Sequence, residues 1–428
     1  MEQQQLHSFE HKCTQEEPPA CQSMCPLHLD ARSISRLMAQ GKISEARKSM
    51  DRIMPLSGLL GYLCEGPCME HCRRAELDGG VNMPLLERAC VNFSRNVKPM
   101  ALPANGKKVA VAGAGMSGLV LAFELAKKGF GVTVCHKGEA GGRMRALATG
   151  RLPENALPDA LALLASLRVE FSSPAELSEP ELRAVAGENG AIYLGLDDPD
   201  VRAENFGIAD DAGNPVLDAL TLGTKSPNMF AGGHPGGKEP SFIQEAADAR
   251  RAAASIDRFL KGVSPASARE KEGVFPTTLY TDLSLVPVSA PVAPANPLAP
   301  TQEEAMAEAG RCIQCECLEC VKRCVYLAHY KGYPKRYARE IYNNLAVVHG
   351  QRRANTQINS CAECGLCAEI CPFDADMGAF CAPARTDTVP TNRMPPPPPE
   401  SALPDTAVSH APDVAFSRPH PRLDKTRR

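Results

Sequence analysis

"KKVAVAGAGMSGLVLAFELAKKGFGVTVCHKG", residues 107 to 138, decides the fold class of the middle of this chain. The apolar run at 109–112 reads as a buried strand, a helix-length apolar segment follows, and "GVTVC" reads as a second strand. Between the first strand and the helix stand Gly113, Gly115 and Gly118, spaced as G-x-G-x-x-G. Glycine there permits a tight turn. It also lets a pyrophosphate approach the backbone of Ala114 and Ser117 at the helix N-terminus, where free N–H groups and the helix dipole favour an anion. The second strand ends in Cys135 and His136, where an acidic residue would ordinarily hold the ribose. A neutral imidazole still offers one acceptor, but the bidentate carboxylate is lost.

Working outward, residues 106–262 alternate strand-like and helix-like text, as a Rossmann-like α/β domain does. They close on "NMFAGGHPGGKEPSFIQEAADARRAAASIDRFLKG", a strand, a glycine turn holding Gly233 and His234, and a long amphipathic helix. Residues 1–100 read as an all-α block, with Asp30 an expected helix N-cap. Residues 263–300 are proline-rich and poor in charge, the composition of a semi-extended linker. Thr301 and Glu304 form an expected capping box opening a cysteine-rich domain at 301–383, and 384–428 reads as a disordered proline-rich tail. The expected fold class is therefore multidomain: an all-α domain, an α/β domain and a small ferredoxin-like domain.

Composition bounds the partners. The 428 residues carry 47 Lys+Arg against 50 Asp+Glu, a net charge of −3. That balance leaves no electrostatic footprint for nucleic acid or an anionic membrane. No run of about 18 apolar residues suggests a membrane span, and the polar N-terminus does not resemble a secretion signal. The reading is a cytoplasmic chain. Its 18 cysteines come in clusters, which in a reducing compartment argues for metal ligation over disulfides.

"CAECGLCAEICP" places Cys361, Cys364, Cys367 and Cys371 at C-x2-C-x2-C-x3-C-P. This spacing aims three thiolates at one [4Fe–4S] cluster and sends the fourth to a second cluster. The partner run "CIQCECLECVKRC" holds Cys312, Cys315, Cys317, Cys320 and Cys324, five cysteines where four are expected, and Cys315-x-Cys317 is one residue short. On this pattern Cys324 joins Cys361, Cys364 and Cys367. Cys371 crosses back to Cys320 and two of Cys312, Cys315 and Cys317, and which of those three is spare stays open.

The N-terminal motifs "CTQEEPPACQSMCP" and "CEGPCMEHC", followed by "VNMPLLER" and the glycine turn, resemble the iron–sulfur and flavin region of the glutamate synthase small subunit and of dihydropyrimidine dehydrogenase. The likeness covers residues 13–262. It implies one cluster held by Cys25, Cys64, Cys68 and Glu87. A second would be held by Cys13, Cys21 and Cys72, with Glu16 at a position where the family has cysteine. It also implies FAD rather than NAD. Gly141 and Gly142 in "EAGGRM" stand at the family's second glycine pair, and "TKSPNMFAGGH" resembles its third FAD element, with His234 in place of an aspartate. The family's inserted NAD(P)H domain has no counterpart. Residues 197–220 are all that lie between "GAIYLGL" and "TLGTKSPN", whereas a typical domain takes about 100 residues.

The expected function is electron transfer between protein redox partners through FAD and up to four [4Fe–4S] clusters. An NAD(P)H-dependent oxidoreductase subunit taking hydride at the flavin is the alternative, and a zinc-bound scaffold without redox role is the reading from another class. The C-terminal motif resembles ferredoxin-like modules of flavoproteins from anaerobes. No catalytic nucleophile–base set is recognisable.

Overall fold

The computed structural model describes residues 3–95, 99–147, 152–174, 177–233, 241–269, 272–347 and 353–388. The chain divides into two compact units, one of residues 17–315 and one joining residues 1–16 to 316–428.

After a single turn of helix at Ala20–Ser23, the 17–315 unit continues with four longer helices: α1 (Ala31–Ala39), α2 (Ile43–Asp51), α3 (Ser57–Leu63) and α4 (Met83–Asn92). Helix α1 starts at Asp30, whose carboxylate accepts from the Ser33 N–H at 3.0 Å. It buries Ile34 and Met38 at i, i+4, the spacing of one helix face. Helix α4 is capped by Asn82 and has Pro84 in its first turn, where the missing N–H leaves no bond unmade.

A five-stranded parallel sheet follows: β1 (Lys108–Ala112), β2 (Gly131–Cys135), β3 (Glu170–Ser172), β4 (Ala191–Gly195) and β5 (Met229–Gly232), in the order β3-β2-β1-β4-β5. Its helices are α5 (Met116–Lys127), α6 (Ala156–Ser166), α7 (Glu179–Ala186) and α8 (Phe242–Leu260). Alternate residues of β1 enter different cores. Val109 and Val111 pack with residues of α5, α8 and the N-terminal helices, while Ala110 and Ala112 pack with Leu182 and Ala186 of α7. A parallel strand covered on both faces must be apolar throughout, which is why "VAVA" carries no alternation. The strand order reverses between β1 and β4, and in such sheets a ligand sits beyond the carboxyl ends at that reversal.

The proline-rich segment packs on the same unit. Prolines offer no N–H, but the backbone carbonyls accept from side chains: Pro287 from Arg74 (2.9 Å), Pro297 from Arg88 (2.9 Å) and Leu298 from Asn92 (3.0 Å). Helix α9 (Gln302–Gly310) then opens with the Thr301–Glu304 capping box complete and packs on α1.

In the other unit the amino-terminal helix Gln3–Glu10 buries Leu6 and Phe9 with Tyr337 and Ile341 of α11 (Pro334–Tyr342) and Phe380 of α13 (Met377–Thr388). Two short helices, α10 (Glu319–Arg323) and α12 (Leu366–Ile370), lead out of cysteine-bearing turns. The tail expected at 384–428 is described only as far as the end of α13, and residues 389–428 lie outside the described residues.

Candidate metal centres and nucleotide turn

All the candidate metal ligands except Glu16 fall into four groups of four, each within one unit. The first joins Cys25, Cys64, Cys68 and Glu87. Helix α4 carries Glu87 into the core, 1 % exposed, with its Oε2 unpartnered. Burial pushes the Glu87 carboxyl up to about 8, opposed by a hydrogen bond from Cys64. Burial also raises the thiols of Cys25, Cys64 and Cys68, and the Glu87 charge adds to it. A dry site lined by four groups that ionise to anions is costly unless a cation compensates them, which is the environment of a metal centre.

The second group, Cys21, Cys72, Cys312 and Cys315, lines a small enclosed cavity with Ser35 and Met83. Burial raises Cys21, followed by the nearby Cys72, Cys312 and Cys315. The third group is Cys13, Cys317, Cys320 and Cys371. Burial lifts Cys320 to about 12, helped by Cys13, Cys371 and Cys317, and the Cys317 N–H donates to Gln15 Oε1 at 2.6 Å. The fourth, Cys324, Cys361, Cys364 and Cys367, lines a cavity of about 420 Å³. Beside it the Cys381 thiol, wholly buried, donates to Cys361 and lowers that thiol's pKa.

Among the described residues no three His, Cys, Asp or Glu side chains close on a single ion-sized point.

Two expectations are revised. Glu16, expected beside Cys13, Cys21 and Cys72, instead accepts from Arg339 Nη1 at 2.8 Å and from the Tyr333 hydroxyl at 2.9 Å. Burial would raise its carboxyl, but those hydrogen bonds and the Arg339 and Lys335 charges hold it low. Cys13 lies in the unit of residues 1–16 and 316–428, and Cys21 in the unit of residues 17–315. None of Cys312, Cys315 and Cys317 stands alone: the first two join Cys21 and Cys72, and the third joins Cys13. Cys90 is wholly buried core.

The glycine turn lies at the carboxyl end of β1. Gly113 has φ +93°, a left-handed conformation that favours glycine. A β-carbon at Gly118 would collide with the Gly113 carbonyl, so helix and strand approach as closely as the motif requires. Gly141 donates its N–H to the Ala114 carbonyl at 2.9 Å, and Gly142 lies against Gly115. Gly233 (φ +82°) ends β5 beside Ser117. His136, 8 % exposed, leaves Nδ1 buried and unpartnered, its ring edge-on to Phe171. His234 lies outside the described residues.

Two residues at this turn went unread in the sequence. Directly after β4, the Asp198 carboxylate accepts from the Ala114 N–H at 2.9 Å, and Asp197 accepts from the Ser117 N–H at 3.1 Å and from its hydroxyl. The turn's donors are thus met by the chain's own carboxylates. Burial raises Asp197 against the Ser117 hydrogen bonds. Glu245 on α8 rises to about 8 through burial and then the Asp197 charge, which together outweigh its 2.6 Å pairing with Arg143. The signal was "LDDPD", paired acids at the reversal of strand order. A cavity of about 810 Å³ lined by Arg47, Tyr62 and Phe123 among others shares no lining residue with the cysteine groups or the turn glycines.

Grouped thiols in both units and a glycine turn on a parallel sheet are the features to compare with known proteins. Residues 1–98 match the family described as dihydropyrimidine dehydrogenase domain II, 4Fe-4S cluster, and residues 311–376 match the 4Fe-4S dicluster domain. The chain is 29% identical over 174 residues to the NADPH-Fe(3+) oxidoreductase subunit beta of Geobacter sulfurreducens, covering 39% of this chain and 25% of that one. It is 30% identical over 179 residues to the NADP(+)-dependent formate dehydrogenase subunit beta of Moorella thermoacetica, covering 36% and 25%. The glutamate synthase [NADPH] small chain of Bacillus subtilis is 26% identical over 161 residues, covering 36% and 33%. The matches to the first two relatives span about a quarter of their length. The chain is related to iron–sulfur flavoprotein oxidoreductase subunits. Among the described residues no helix is long and apolar enough to cross a membrane.

Proposed function

We propose that the chain is an electron-transfer subunit, passing electrons between protein redox partners through [4Fe–4S] clusters and FAD. The observation that carries this reading is the buried group of Cys25, Cys64, Cys68 and Glu87, with no thiol in a disulfide and one carboxylate oxygen unpartnered, a set of ionisable ligands that a bound cation would compensate. The 4Fe–4S matches at both ends of the chain support it. Clusters carry one electron at a time and a bound flavin accepts one or two, so together they join one-electron to two-electron chemistry.

The nucleotide turn fits FAD in its construction. Ala114 and Ser117 would donate to the pyrophosphate, Gly113, Gly115 and Gly118 would admit it, and His136 Nδ1 would meet a ribose hydroxyl. Asp197 holds the Ser117 N–H and Asp198 the Ala114 N–H, and both donors would have to be released first.

A second reading takes hydride from NAD(P)H at the flavin, and the NADPH and NADP(+) in the relatives' names favour considering it. With residues 197–220 too short for a nicotinamide domain, a partner subunit would supply one. Anaerobic stopped-flow mixing with NADPH separates the two. A flavin that bleaches only with a reduced protein donor fits the conduit, and fast bleaching of the isolated chain by NADPH would replace it with the second reading. The clustered thiols support a reducing compartment such as the cytoplasm.

A further inference from the structure

We infer that Cys21, Cys72, Cys312 and Cys315 hold one [4Fe–4S] cluster built from the two cysteine-rich ends of the chain, and that Cys13 completes another with Cys317, Cys320 and Cys371. This rests on the iron–sulfur reading above and assigns its ligands. The four side chains of the first set line one small cavity whose remaining wall includes the apolar Val81 and Met83 and also Cys68, which the Cys25, Cys64 and Glu87 group claims.

The segment bearing Cys312 and Cys315 is fastened to the N-terminal helices by buried contacts. Arg74 donates to the Arg311 carbonyl at 2.6 Å and pairs with Asp78 at 2.6 Å; Arg311 pairs with Asp78 at 3.0 Å and with Glu308 at 2.7 Å. Each of these four side chains is 5 % exposed or less. Glu308 also accepts from the Asn82 N–H at 2.7 Å, and Arg32 donates to the Cys315 carbonyl at 2.6 Å. Breaking one partner of such a buried network leaves an uncompensated charge, so the placement of residue 312 is strongly specified.

The turn itself is shaped as a cluster turn. In "CIQC" the residue before the second cysteine, Gln314, has φ +53°, and in "CAEC" Glu363 has φ +53° as well. Non-glycine residues take this left-handed form uncommonly. The turn at 312–315 thus shares a left-handed residue at the same position with the turn at 361–364, which opens the regular cluster motif.

This assignment explains the irregular spacing. Cys315-x-Cys317 is one residue short because it is not part of one motif: a ligand of one cluster is followed, after Glu316 alone, by a ligand of the next. At the other end Cys13 and Cys21 divide between the same two sets. The 16 assigned ligands leave only Cys90, Cys135 and Cys381 outside any set.

The test is iron and acid-labile sulfide on the full chain purified without oxygen, wild type against serine variants. Wild type holds about sixteen iron atoms per chain if all four sets are filled. C21S and C312S each lose about a quarter of the iron, and the double variant C21S/C312S loses the same quarter. C13S/C317S likewise loses one quarter, while C13S/C21S loses half. A half lost from C21S/C312S, or a quarter from C13S/C21S, overturns the assignment while leaving the iron–sulfur reading intact. Wild type without iron and sulfide removes that reading itself. Native alkylation read by mass spectrometry covers variants that fold poorly. On wild-type protein partly stripped by chelator, Cys21, Cys72, Cys312 and Cys315 become labelled together on the same molecules. Co-labelling of Cys312 with Cys320 instead contradicts the inference.

Discussion

Asp197 is the residue on which the nucleotide turn depends. It accepts the Ser117 N–H that a pyrophosphate would otherwise take, so carboxylate and cofactor compete for one donor set. Hydrogen bonds to charged groups contribute about 1.5–3 kcal/mol, and 1.4 kcal/mol is a factor of ten in affinity. Asp197→Ala is therefore expected to bind FAD about tenfold more tightly, measured by flavin fluorescence quenching on titration. Unchanged or weaker binding would show that Asp197 does not obstruct the turn. Glu245, 5 % exposed at its side chain, makes a second prediction. Its carboxyl stands near 8 in the folded chain against 4.5 for the free group, so the folded state binds the proton more tightly. Stability then falls as pH rises from about 4.5 to about 8, and Glu245→Gln flattens that slope in thermal melts. Of these residues the sequence disclosed the glycines through their spacing. The aspartates stayed unread because nothing local shows that the residues after β4 fold back onto the turn after β1.

At the scale of elements, the contact of β1 with α5 is tight where Gly118 faces the Gly113 carbonyl. Gly118→Ala is expected to destabilise the 17–315 unit by about 1–3 kcal/mol, the range for overpacking, read as a lowered denaturation midpoint. The strands and α5 were legible because a buried parallel strand and an apolar helix leave uninterrupted runs, and the capping box at Thr301 was legible because its partners lie three residues apart. The segment at 263–300 was read as linker from its prolines. What anchors it, the Arg74, Arg88 and Asn92 side chains, lies some 200 residues earlier in the chain, beyond any local pattern.

Over the whole molecule, spacing identified the chemistry of the cysteines more readily than their grouping. The regular C-x2-C-x2-C-x3-C run pointed to Cys324 with Cys361, Cys364 and Cys367, since that pattern carries its own rule for crossing. The resemblance pointed to Cys25, Cys64, Cys68 and Glu87, and the fold brings these four together. The resemblance put Cys13 and Cys21 together with Cys72, and the spacing left one of Cys312, Cys315 and Cys317 spare; the grouping proposed above draws its partners from opposite ends of the chain, and one-dimensional spacing cannot express such a pairing. The missing residue between Cys315 and Cys317 was visible, and it marks where the chain leaves one unit for the other. The central claim, that this chain is an iron–sulfur flavoprotein conduit, is tested most directly by anaerobic purification with iron, sulfide, zinc and flavin measured on one sample. The account predicts about sixteen iron atoms and as many sulfides per chain, with FAD and without stoichiometric zinc. Colourless protein holding zinc and no acid-labile sulfide would contradict it.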